Sequence, residues 1–212
     1  MVHLTHKEFA QAKKHLQSVD SKLATIIDRY ELKPQRRLPR THFEALVEAI
    51  VSQQLSVKAA DTIFARFVSL FPNQKFPTPE TVFKLPLPKF RKVGISGQKA
   101  NYIKDLSGKI VSGELKLNSL HRLENEEVIS ELVKVKGIGR WTAEMFLMFT
   151  LRRPDVFSNG DLGLRNAIQK LYKMKTSPTE KQLDRISKRW SPHRTTASRY
   201  LWKSLENSPK NS

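Results

Sequence analysis

The 212-residue chain contains no cysteine. That excludes disulfides, zinc–thiolate sites, thiol nucleophiles and cysteine-ligated iron–sulfur clusters, and it fits a reducing, intracellular compartment. No run of about 18 apolar residues occurs, so no membrane span is expected. The opening residues MVHLTHKEF lack the apolar centre of a signal peptide, so the mature chain is expected to begin near Met1. No period-two alternation persists anywhere, which removes β architectures and leaves an all-α fold. Acidic residues are the scarce charge: 20 Asp and Glu stand against 38 Lys and Arg, a formal +18. An excess of that size points to a polyanion. Nucleic acid is favoured over an acidic membrane, because no helix forms a continuous basic amphipathic stripe. His42, His121 and His193 are scattered without metal-ligand spacing, so no metal is expected.

What is present is enough apolar surface, 39% of residues, to bury a real interior. The length suits one domain, or two lobes sharing a core. Thr5 with Glu8 predicts a helix over 6–18, and Asp20 caps a second to Leu32. The basic, proline-bearing stretch Lys33–Arg40 reads as a connector, with a DNA-contacting arm or a weak nuclear-import patch as alternatives. Thr41 with Glu44 opens a helix whose Phe43, Leu46, Val47, Ile50 and Val51 share one face. It ends in Gln53-Gln54-Leu55, and Ser56 starts the next, with Val57, Ala60, Ile63, Phe64 and Phe67. A proline-rich connection, 72–88, holds one short helix, Pro79–Lys84. Ser96 or Gly97 caps a helix to Val111, which Gly113 stops. Asn125 starts a helix with Val128, Ile129, Leu132 and Val133 apolar. Ser177-Pro178 and Ser191-Pro192 read as helix starts with proline at the first helical position. The polar tail from Asn207 is expected to fray.

Two stretches carry chemistry. In Lys136-Gly137-Ile138-Gly139, two glycines flank one aliphatic residue between helical patterns. Glycine permits positive φ and leaves no Cβ in the way, so backbone N–H groups can approach a phosphate. Arg140 then opens a helix whose first N–H groups favour an anion, and Ile138 plugs the bend into the core. An ordinary interhelical turn is the alternative. About twenty residues on, Asp161 follows the polar Ser158-Asn159-Gly160 and begins a run with Leu162, Leu164, Ala167, Ile168 and Leu171. It is either a plain N-cap or a carboxylate at the mouth of a cleft, facing positive charge that develops on a sugar.

Gly-Ile-Gly-Arg-Trp-Thr-Ala followed by Asp-Leu-Gly-Leu-Arg resembles the helix–hairpin–helix (HhH-GPD) DNA glycosylases, in the branch of the AlkA and yeast Mag 3-methyladenine glycosylases. The likeness runs from about Phe43 to Trp202. It implies two helical lobes with a DNA-binding cleft between them, one about 41–150 including the hairpin 135–142, the other about 1–32 plus 155–206. It implies DNA contacts at Lys136, Gly137, Ile138, Gly139 and Thr142. Gln54 and Leu55 become a minor-groove wedge that fills the gap left by an extruded nucleotide. The loop at Ser96 and Gly97 is placed at the minor groove opposite the lesion. Relatives that also cut the strand carry lysine where this chain has Trp141. Tryptophan forms no Schiff base, so a monofunctional enzyme is implied, with Trp141 lining the base pocket. Trp190 and Trp202 are expected in the core.

Two positions depart from the family pattern. Ser158 stands where many relatives have proline, and Ser56 where some fungal members have histidine; both are candidate groove or lesion contacts. The β-domain of the bacterial AlkA type has no counterpart here. Asp161 is the expected catalytic group, acting on alkylated purines extruded from double-stranded DNA. No cofactor is required, the one addition allowed being a monovalent cation on hairpin backbone carbonyls. A monomer that binds damaged or abasic duplex, with no membrane partner, is expected. The likeness to the short yeast form favours a nuclear setting over a bacterial cytoplasm. The rival reading keeps hairpin, wedge and basic face but binds abasic or damaged DNA without excision.

Overall fold

Asp20 shows how short polar residues punctuate this chain. Its carboxylate accepts from the Lys22 and Leu23 N–H groups, starting the helix Ser21–Arg29 (α2) after His6–Val19 (α1). The computed structural model describes residues 6–34 and 40–206, and among the described residues every regular element is helical, with no strand. The expected cap at Thr5, the middle of the 33–40 connector and the tail from Asn207 lie outside them. The helix after Asp20 stops at Arg29, short of the expected Leu32, where the Tyr30 N–H closes on Ile26 O. No helix among the described residues is long and apolar enough to cross a membrane.

The chain divides into two compact units, Met1–Leu38 with Leu147–Ser212 and Pro39–Phe146. In the second unit follow His42–Ser52 (α3), Val57–Ser69 (α4), Pro79–Lys84 (α5), Leu87–Lys92 (α6), Gly97–Val111 (α7), a 3-10 turn Leu117–Arg122 and Asn125–Leu132 (α8). Thr41, Ser56, Thr78 and Ser96 cap α3, α4, α5 and α7 through side-chain oxygens. At α7 it is therefore Ser96, not Gly97, that caps. A reciprocal pair, Glu124 and Glu127, opens α8. Neither α6 nor the 3-10 turn is foreshadowed by periodicity, both being too short. Helix α3 packs against α4 and α7, and α7 also packs against α5 and α6. The core is aromatic: the fully buried Phe67 stacks on Phe90 at 5.7 Å and meets Phe71 edge-on at 5.5 Å. Emptying such a site costs about 3–5 kcal/mol. Val57 and Val133, expected on apolar faces, are exposed.

Arg140–Phe149 (α9) leads into the other unit, which holds Leu162–Leu171 (α10), Glu180–Lys188 (α11) and Arg194–Leu205 (α12) besides α1 and α2. Helix α12 packs against α1, α2 and α10 around the fully buried Trp190 and the buried Tyr200. The Trp190 indole N–H donates to Asp20 Oδ2 at 2.9 Å, and the Tyr172 hydroxyl donates to the same oxygen, so the cap of α2 is also the polar centre of this core. Two expected helix starts are corrected. Thr179, not Ser177, caps α11, because Thr179 and Gln182 exchange both bonds of a capping box. Pro192 does not open α12; Ser191–Pro192 is a cis peptide, and the helix begins at Arg194. The Ser191 hydroxyl donates instead to Asp155, which also accepts from the Arg194 N–H and guanidinium.

Candidate active site and nucleic-acid interface

In the unit Pro39–Phe146 the glycine bend is held from three sides. Val135 and Ile138 are buried and anchor it, Ile138 as expected. Gly137 sits at φ +82, and a Cβ there would lie 2.1 Å from a Tyr102 ring carbon, so only glycine fits. The Lys136 N–H donates to Asp105 Oδ2 at 2.9 Å, and Gln53 Nε2 donates to Gly137 O at 2.8 Å. Lys136 and Gly139 stay exposed, and a Cβ on Gly139 would meet nothing within 4 Å. The bend thus presents backbone outward at the start of α9, where helix N–H groups lack intrahelical acceptors. Thr142 lies in the first turn of α9 with its side chain buried. Arg140 is tied by a fork of bonds to Glu126, 2.6 and 2.9 Å, and by a bond to Glu144 at 3.0 Å. The Arg140 bonds hold the Glu126 carboxyl below its usual range.

Of the hairpin carbonyls, Val135 O accepts from the Ile138 N–H at 3.1 Å and Gly137 O from Gln53 Nε2 at 2.8 Å, which leaves each a second lone pair. Among the described residues no group of three or more His, Asp or Glu could hold a metal ion.

The corner after α3 belongs to the same unit. Gln54 lies in the left-handed region at φ +56, a conformation costly for a side chain. Gln54 and Leu55 are both exposed. Lys99 Nζ closes the corner by donating to Val51 O at 2.7 Å and Gln53 O at 2.6 Å. Ser56 and Ser96 are exposed but spend their hydroxyls as caps, accepting from the Ala59 and Lys99 N–H groups at 3.4 and 3.3 Å. Gly97 opens α7, with the Arg91 guanidinium 3.3 Å from where its Cβ would be. Trp141 is 49% exposed, so its ring is not part of the core.

In the other unit Asp161 caps α10, its Oδ1 accepting from the Leu164 N–H at 2.7 Å and from the Trp202 indole N–H at 2.9 Å. The residue is 8% exposed, and the two donors fix its plane. Trp202 is therefore not the plain core residue expected. It is half-buried, carries Asp161 on its nitrogen and packs on the exposed Phe149 at 5.8 Å. Leu162, expected on the core face, is 69% exposed beside the carboxylate. Gly163 makes room: a Cβ there would stand 3.1 Å from Asp161 Oδ1 and 3.2 Å from the Trp202 ring. Ser158 is fully buried, and its carbonyl accepts from the Asp161 N–H at 3.2 Å, so it shapes the approach to Asp161. Gln53, Lys99 and Trp202 went unread as site residues because their partners lie 41–84 positions away in the chain.

Among the described residues the protein is all-helical, with a glycine hairpin in one unit and a helix-capping aspartate in the other. A family model described as HhH-GPD superfamily base excision DNA repair protein matches residues 47–193, and the chain belongs to that family. DNA-3-methyladenine glycosylase 1 of Schizosaccharomyces pombe is 37% identical over 198 residues, 91% of this chain and 86% of the relative. The solved S. pombe 3-methyladenine DNA glycosylase in complex with abasic DNA superposes with a TM-score of 0.78 at 36% identity, covering 92% of this chain and 96% of that one. A DNA-3-methyladenine glycosidase from Bacillus halodurans gives 0.80 at 36% identity, covering 92% and 89%.

Proposed function

We propose that this protein is a monofunctional DNA glycosylase of base-excision repair, which extrudes alkylated purines of the 3-methyladenine type and leaves an abasic site. The observation that carries the reading is the carboxylate of Asp161, fixed by a helix N–H and an indole N–H beside exposed apolar groups, in a chain of this family.

The hairpin N–H groups bind a backbone phosphate, and Gln54 and Leu55 enter the space the nucleotide vacates. Extrusion is needed because no carboxylate reaches a glycosidic bond inside a stacked duplex. The N-glycosidic bond then breaks, with its electron pair leaving on the purine and an oxocarbenium-like sugar remaining. Asp161 faces that cation and orients the water whose oxygen joins C1′, taking its proton. A purine alkylated on a ring nitrogen is already cationic and leaves without a general acid. The Trp141 face stacks on such a base, with about 0.5–2 kcal/mol available from cation–π contact. No lysine stands at position 141 to trap the sugar, so the strand stays intact. The protein acts as a monomer on damaged duplex DNA in the nucleus.

The test is incubation with methylated duplex. Free methylated purine is expected, with strand breaks only after hot alkali. Intact methylated DNA at stoichiometric protein, with tight binding to abasic duplex, would establish the non-excising binder instead.

A further inference from the structure

Lys99 lies in the first turn of α7, but its side chain serves a different helix. Nζ donates to Val51 O at 2.7 Å and to Gln53 O at 2.6 Å, where α3 ends. A helix end carries carbonyls without intrahelical donors and the negative end of the dipole, so a cation suits it twice over. Burial pushes the Lys99 ammonium below its ordinary pKa, a sign that the charge has partly left water for these carbonyls.

What the clamp holds is a strained corner. Gln53 leaves the helix at φ −52, ψ 129, and Gln54 follows at φ +56, where glycine is the usual occupant. A side chain persists in that region when its surroundings over-determine it. The same Gln53 sends its amide to Gly137 O at 2.8 Å. One residue therefore joins the wedge corner to the hairpin, and Lys99 fixes that residue's backbone.

We infer that Lys99 is a positioning residue for lesion recognition. By clamping the end of α3 it holds Gln54 and Leu55 at a fixed distance from the hairpin, so that gripping the phosphate and filling the vacated space become one event. This rests on the glycosylase reading above. The ammonium is turned to protein carbonyls and does not contact phosphate.

The experiment compares the wild type with Lys99→Met, Lys99→Arg and Gln53→Met. Each is titrated with a duplex holding an abasic-site analogue and with the same duplex undamaged, at several salt concentrations. A 2-aminopurine beside the site reports unstacking. Lys99→Met is expected to lose about tenfold in the abasic-over-undamaged ratio together with the unstacking signal. Its salt slope on undamaged DNA stays unchanged, whereas loss of a phosphate contact would lower that slope by about one. Lys99→Arg, whose guanidinium can serve both carbonyls, recovers most of the ratio. Gln53→Met keeps the clamp but loses the tie to Gly137, and the ratio falls part of the way. A folded Lys99→Met with the wild-type ratio overturns the inference, as does a lowered salt slope with the ratio intact. If Lys99→Met does not fold, an unchanged ratio in Gln53→Met overturns it. A wild type with no preference for abasic duplex fails the glycosylase reading itself, before Lys99 is in question.

Discussion

The hairpin with its neighbouring corner and the Asp161 site solve opposite problems. In the first, groups are pushed outward: a left-handed Gln54, an exposed Leu55 and an exposed Gly139 whose Cβ position meets nothing within 4 Å. Their conformations are costly by themselves and are held by Tyr102, Asp105, Gln53 and Lys99. In the second, the key group is buried, and its backbone has the unstrained extended geometry of an ordinary helix cap. A surface that grips a ligand accepts local strain for exposure. A charge that stabilises a reacting centre gains from fixed orientation in a shielded place. The two regions should therefore respond to mutation in different ways.

The largest effect should come from the hairpin. Gly137→Ala drives a methyl into Tyr102 at a backbone angle that only glycine tolerates. The fold should lose about 2 kcal/mol or more, and duplex affinity should fall about tenfold or more on damaged and undamaged DNA alike. Thermal melts and anisotropy titrations check both, and selective loss on damaged DNA would place the hairpin's role in discrimination instead. Next is Trp202→Phe, which keeps an aromatic ring against Phe149 but removes the N–H to Asp161. A hydrogen bond to a charged group is worth about 1.5–3 kcal/mol, so the single-turnover excision rate should drop about tenfold or more with abasic-duplex affinity unchanged. Equal loss in binding and rate would make Trp202 a plain packing residue.

Gln54→Gly separates strain from function. Removing the left-handed side chain should raise stability by about 1 kcal/mol, while the preference for abasic over undamaged duplex declines. Stability and recognition moving in the same direction would contradict the contrast drawn here. The smallest effect is in pH. Burial pushes the His193 imidazole below its ordinary value, with repulsion from His15 adding and Asp155 opposing. A depressed histidine contributes stability that is present above its unfolded value, near 6.5, and is lost as pH falls through the folded one. Tm should therefore decline as pH falls below about 6.5, and His193→Gln should flatten the decline.

Much of this was legible in the chain because it is local. Asp20, Thr41, Ser56, Ser96 and Asp161 each cap within three residues of themselves, which a reader of sequence can see. The Gly137-Ile138-Gly139 bend is likewise written in adjacent positions. The misreadings are non-local. The start of α12 is set by Asp155, some forty residues upstream, which takes up both the Ser191 hydroxyl and the Arg194 N–H, so the Ser-Pro signal is overridden. Leu162 fits an apolar periodicity yet faces outward, because at a helix start the stripe has not closed over it. Trp202 reads as core from sequence because the carboxylate its indole serves is 41 positions back in the chain.

The most direct measurement is single-turnover release of methylated purine by Asp161→Asn beside the wild type, with abasic-duplex affinity read in parallel. Asparagine can still accept from the Leu164 and Trp202 N–H groups, so helix α10 keeps its cap and only the charge is lost. Excision should fall by about 10²–10³-fold while binding is kept. Wild-type rates from the asparagine form would remove Asp161 from the chemistry and contradict the account.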